Sequence, residues 1–197
     1  MTQPISLYWY ARNSTGIPLL QYLAFYQTIE FYFPVYSDIE ASRVLKLMLK
    51  SPIFNPNSEI DISKVLSAVK SKIGKGFENE RSQLKATLGE CINVESLKTF
   101  IRENQMLSDY YKNNDYKKLS KSKINIENSD EDFMNAFSER IYDIRCKIVH
   151  TKASSTDGNI ELLLPFSKEI ENLYLDIEII MYASQQVLIY NSKDFPL

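Results

Sequence analysis

The run SDEDFMNAFSERIYDIRCKIVH, residues 129–150, decides the fold class. Ser129 stands where a helix N-cap belongs, with Asp132 in the capping-box position and three acidic residues in the first turn to complement the helix dipole. Behind it, Phe133, Phe137, Ile141, Ile144 and Ile148 advance by four, four, three and four. That period puts five apolar side chains on one stripe, so an amphipathic helix is expected to about His150.

Working outward, Thr151 to Asn159 reads as a loop from its Ser-Ser-Thr-Asp-Gly composition. A last helix is expected from near Phe166, with Ile170, Leu173, Ile177, Ile180, Met181, Ser184 and Leu188 on its inner face. Upstream, a helix from Pro18 is apolar on nearly every side, which marks it as central, and Pro34 is expected to end it. Ile39 to Lys50 gives a second helix with Val44, Leu45, Leu47 and Met48 inward. Helical spacing recurs in 61–73 (Ile62, Val65, Leu66), 77–91 (Leu84, Leu88, Cys91) and 94–101 (Leu97, Phe100, Ile101). The short aromatic stretch Leu7–Arg12 has no helical stripe and reads as a strand or an arm from an upstream domain. With no succession of strands and no repeat, the class is all-α: a helical bundle with additional helices in the middle. One domain over 1–197 is expected, with a core of about 10–50 and 128–192 and a helical elaboration of about 52–125.

Composition narrows the function classes. The 44% hydrophobic content supports a sizeable core, and five glycines with 23 tyrosines and phenylalanines exclude a flexible or disordered chain. A net charge of −2 gives no global attraction to a polyanion, so nucleic-acid contact must come from local groups. Lys112, Lys117, Lys118, Lys121 and Lys123, opposed only by Asp115, form the one strong basic run. It is either a solvated face or a phosphate-tracking rim. Cys91 and Cys146 form no CxxC pair and read as reduced thiols. Met1 to Tyr10 lacks the basic residues of a secretory leader, and no apolar run is long enough to span a bilayer, so a cytoplasmic protein is expected.

Chemistry concentrates on the 129–150 helix. His150 is the sole histidine and the first candidate for proton transfer near neutral pH. Asp143, Arg145, Cys146 and Lys147 share its helix. Arg145 and His150 are five apart, about 140° around a helix and about 7.5 Å along it. They do not share a face, so they reach one phosphate most readily where two such helices cross at a two-fold axis. Cys146 and His150, four apart, do share a face and form a rival nucleophile pair. A metal site built on Cys146, His150 and Asp143 lacks a fourth ligand, so no metal or other cofactor is expected. Glu30, a carboxylate on the aromatic helix, either pairs structurally with an arginine or orients Arg145 or His150. Arg12 and Asn13 are weaker candidates for the same role.

An arginine, four to six residues and a histidine near the end of a long helix resembles the motif of the HEPN superfamily, and Arg145 to His150 matches with four intervening residues. The longer run from Arg140 to Lys152, with Ala11-Arg12-Asn13, Pro18, Tyr22, Tyr26, Gln27 and Glu30, resembles the C-terminal HEPN region of ApeA-like anti-phage abortive-infection proteins. The resemblance implies a dimeric, metal-independent endoribonuclease. Arg145 would stabilise phosphate charge and His150 would move protons, with Glu30, Cys146, Asp143 and Arg12 in support and Lys147, Lys152, Lys117, Lys118 and Lys121 as basic groups for RNA. It also implies a possible fused or separate N-terminal sensor. Many active members carry Asn, Asp or His directly after the arginine, where this chain has Cys146. The alternative is a HEPN-like module that no longer cuts RNA and instead dimerises or binds nucleic acid or a partner.

Overall fold

A computed structural model describes residues 3–73, 77–113, 119–149, 163–167 and 169–192. Among them are nine helices and no strand: α1 (Gln3–Asn13), α2 (Pro18–Glu30), α3 (Phe33–Leu49), α4 (Glu59–Ile73), α5 (Phe77–Cys91), α6 (Val94–Glu103), α7 (Gln105–Lys112), α8 (Asp130–Val149) and α9 (Ile170–Tyr190). The all-α class read from the sequence therefore holds as a multi-helix bundle. No described helix is long and apolar enough to cross a membrane.

The helix that is apolar all round is central. α2 buries Tyr22, Ala24, Phe25, Tyr26, Thr28 and Ile29 and packs against α1, α5, α8 and α9. α8 begins as expected: the Ser129 hydroxyl accepts from the Asp132 amide at 3.2 Å and donates to the Asp132 carboxylate at 2.8 Å. Its stripe Phe133, Phe137, Ile141 and Ile144 is buried. Leu84, Leu88, Leu97, Ile101 and Leu107, from α5, α6 and α7, join Phe25, Phe137 and Ile180 in one buried cluster. Asn93 and Asn104 cap α6 and α7 by accepting from amides two or three residues ahead.

Several expectations are corrected. Leu7–Arg12 is neither strand nor arm but lies inside α1. This helix has no strong stripe of its own. It is held by packing on α2, where Ala11 is fully buried and the Tyr8 and Phe25 rings lie 5.5 Å apart. Pro34 does not end α2. The chain turns at Phe31 and Tyr32, and Pro34 falls in the first turn of α3, where a missing amide hydrogen has no intrahelical partner to lose. The inner face of α3 is Phe33, Tyr36, Ser37 and Ala41, whereas Leu47 is 67% exposed. Phe166 does not start the last helix: it is fully exposed at φ 70°, and α9 starts at Ile170.

The middle of the core is polar. Arg140, 1% exposed, donates through Nε and Nη2 to the two Asp176 oxygens at 2.6 and 2.7 Å. Nη2 also donates to the Tyr110 hydroxyl at 2.7 Å and Nη1 to the Ser122 carbonyl at 3.3 Å. The hydroxyls of Tyr110 and Tyr111 donate to opposite Asp176 oxygens at 3.1 Å each. A fully desolvated ion pair is tolerable only when its donors and acceptors are matched in this way. The network ties α7, α8 and α9 together and so fixes the rotation of α8, which carries Arg145.

Candidate functional site

One turn beyond Arg140, Arg145 faces α2 and α5. Its Nη2 lies 2.9 Å from Glu80 Oε1, and both side chains are 15% exposed. The Tyr26 hydroxyl donates to the same Glu80 oxygen at 2.8 Å, and the guanidinium carbon lies 5.5 Å from the centre of the Tyr26 ring. Arg145 is thus clamped at its end and on its face by residues of two other helices. Burial works against its charge, but Glu80, Tyr26, Cys146 and Glu30 together more than offset this, and its proton is held more tightly than in a free arginine. Its Nη1 is buried and has no hydrogen-bond partner among the described residues.

Glu30 belongs to the same cluster without being the primary partner. Burial pushes its carboxyl above the usual range, the charge of Glu80 pushes it further, and Arg145 partly opposes both. Two carboxylates from α2 and α5 and one guanidinium from α8 therefore share a half-buried space, with Tyr26 as its aromatic wall. Cys146 sits beside it, half-buried, and burial pushes its thiol up more than the hydrogen bonds with Tyr142 and Arg145 pull it down. It is a neutral thiol at neutral pH, not a thiolate nucleophile.

The other candidates separate from this cluster. Asp143 accepts from the Ser120 hydroxyl at 2.7 Å and lies 3.7 Å from Arg81, which also pairs with Glu139 at 2.7 Å and covers the Tyr142 ring at 4.7 Å. Arg12 is exposed, and its Nη1 lies 3.3 Å from the Met181 sulfur of α9. Lys121 is exposed and Lys147 half-buried, its carbonyl accepting from the Leu163 amide at 3.3 Å. His150, Lys117, Lys118 and Lys152 lie outside the described residues, as does the Thr151–Asn159 loop.

Glu80 is the member of the cluster that sequence reasoning missed. Its signal was present: Glu80, Leu84 and Leu88 are four apart, which places a carboxylate on the buried stripe of α5. A charge at a core phase needs a partner, and Arg145 is that partner. In chemical terms the cluster holds a pre-oriented guanidinium, one buried donor of which is unpartnered among the described residues, beside carboxylates that keep its charge fixed. No family model matches the chain, and neither a curated protein nor a solved structure with significant similarity was found.

Proposed function

We propose that this protein is a HEPN-type, metal-independent endoribonuclease that acts as a homodimer in anti-phage or toxin-type defence. The observation that carries the reading is the state of Arg145: held by Glu80 and Tyr26 near the end of α8, with Nη1 unpartnered among the described residues, five residues before the only histidine of the chain. In this reading Arg145 stabilises the charge that builds on the phosphate as an RNA 2′-hydroxyl attacks. His150 moves the proton to or from the attacking or leaving oxygen, and the products are a 2′,3′-cyclic phosphate and a 5′-hydroxyl. Glu80 and Glu30 are positioning residues that act through Arg145. Lys147 and Lys121, with Lys152, Lys117 and Lys118, supply local positive charge for RNA on a chain of net charge −2. A fused or separate sensor would control such an activity.

A second reading, the non-cutting module that dimerises or binds nucleic acid or a partner, is favoured by the same ion pair: a guanidinium 15% exposed and already paired with Glu80 has little left to offer a phosphate. Cleavage of a labelled RNA by wild type, Arg145→Ala and His150→Ala in the presence of chelator separates the two. The ribonuclease reading expects each substitution to lower the rate on the order of 10²–10⁴-fold. Equal rates for all three would remove the mechanism, and RNA bound but uncut by wild type would establish the module.

A further inference from the structure

Two arginine–carboxylate pairs on α8 are built differently. Arg140 and Asp176, 1% and 3% exposed, meet through two nitrogens and two oxygens, and each oxygen also receives a tyrosine hydroxyl. Arg145 and Glu80, each 15% exposed, meet through one nitrogen and one oxygen. The Tyr26 hydroxyl donates to that same oxygen, and the other Glu80 oxygen receives no hydrogen bond among the described residues. Arg145 Nη1 is buried and likewise unpartnered among them. A desolvated ion pair serves the fold when its remaining donors and acceptors are satisfied, and only the Arg140 pair meets that condition.

The half-matched pair also sits in a surplus of negative charge. Glu30 and Glu80 share one guanidinium, and the charge of each carboxylate acts on Arg145. Withdrawal of Glu80 therefore leaves Arg145 with Glu30 as a countercharge. The seat of α5 does not depend on Glu80 either. The next residue, Arg81, reaches Glu139 at 2.7 Å and Asp143 at 3.7 Å on α8, and Leu84 and Leu88 are fully buried. A rotation of the Glu80 side chain alone, with both helices in place, is enough to uncover the arginine.

We propose that Glu80 is an autoinhibitory latch: it occupies the Arg145 guanidinium as a stand-in for the phosphodiester of RNA, and the site becomes competent when Glu80 gives way to that anion. A phosphodiester carries the same sign of charge and presents two oxygens to the planar edge of the guanidinium, where Glu80 engages a single nitrogen. Tyr26 sets the latch, because its hydroxyl holds the one Glu80 oxygen that reaches Arg145. The choice of RNA as the displacing anion rests on the ribonuclease reading; the masking of Arg145 by Glu80 does not.

Two readouts on the full chain keep these apart. The first is the rate at which phenylglyoxal modifies each arginine, followed by peptide mass spectrometry. Glu80→Gln, which retains an acceptor for Tyr26, is expected to speed modification of Arg145 about tenfold or more. Arg43, whose side chain is 68% exposed, should react equally in both proteins, and Arg140 in neither. Inorganic pyrophosphate should protect Arg145 at a lower concentration in Glu80→Gln than in wild type. Tyr26→Phe, which keeps the ring but frees the Glu80 oxygen, should release Arg145 by a smaller factor, and it decides the matter if Arg140 becomes reactive in Glu80→Gln. The second readout is cleavage of a labelled RNA, expected to rise about tenfold in Glu80→Gln and to stay at background in the double variant Glu80→Gln, Arg145→Ala. Unchanged reactivity of Arg145 in both single variants, or cleavage by Glu80→Gln no faster than by a cutting wild type, overturns the latch. An uncovered, pyrophosphate-protected Arg145 with no RNA cut by any variant would overturn RNA cleavage and leave Glu80 as the latch of an anion-binding arginine.

Discussion

Glu80 accepts from Arg145 and from Tyr26 through one oxygen, so removing its carboxylate leaves two donors unanswered in a half-buried space. Glu80→Ala is expected to lower stability by about 2–3 kcal/mol, and Glu80→Gln, which keeps an acceptor for Tyr26, by less. Urea unfolding of the two variants beside wild type measures the difference, and a neutral Glu80→Ala would show that the pair contributes nothing to the fold. Glu30 yields a prediction of opposite sign. Burial first, and then the charge of Glu80, raise its carboxyl above the ordinary value. The folded chain therefore binds that proton more tightly than the unfolded chain, and the associated stability is present below the unfolded value and lost as pH rises through the folded one. Glu30→Gln, which cannot ionise, should be more stable than wild type at neutral pH and lose that advantage in acid. Urea midpoints at the two pH values decide it, and an equal shift at both would contradict the linkage. These groups were legible only in part. Glu30 and Arg145 stand out in the sequence by their surroundings, but their meeting through Glu80 depends on how α2, α5 and α8 are rotated, which no single helical period contains. A general signal does exist: Glu80, Arg140 and Asp176 each fall on the core stripe of their own helix, and each is paired with a charge that does so from another helix.

The helices whose starts are written in local chemistry are the ones the sequence reveals best. Ser129 and Asp132 form a reciprocal pair of hydrogen bonds at the head of α8, so Ser129→Ala should cost about 1 kcal/mol. The same unfolding assay reads it, and a change below a few tenths would mean that packing of Phe133 and Phe137 alone sets the start. α5 and α6 are legible for the related reason that their stripes are regular. α1 was not, because its helicity comes from contact with α2 rather than from a pattern of its own, and tertiary packing decides the state of a short ambiguous segment. The α2–α3 boundary was misplaced because a proline in a helical pattern is compatible with either side of a break. α7 escaped notice because its buried Tyr110 and Tyr111 serve a polar network and not a hydrophobic stripe.

At the scale of the molecule, the arrangement of the Arg145 cluster bears on how many chains a working site needs. Arg145 is clamped toward α2 and α5, and a residue five positions further along a helix points about 140° away from it. If the proposed ribonuclease site takes its arginine from one chain and its histidine from another, two individually dead variants can repair each other. Arg145→Ala homodimers would lack the phosphate-binding group and His150→Ala homodimers the proton-transfer group. A mixed dimer, formed by unfolding and refolding the two variants together, would hold one intact arginine facing one intact histidine across the two-fold axis. RNA cleavage by the mixture is expected to recover partially, while each variant refolded alone stays inactive. A pair working within one chain predicts no recovery, since every chain in the mixture lacks one member. Sedimentation of the mixture guards the inference: if it is monomeric at the assay concentration while wild type still cuts, the shared site is wrong whatever the mixture does, and the chemistry must lie within a single chain.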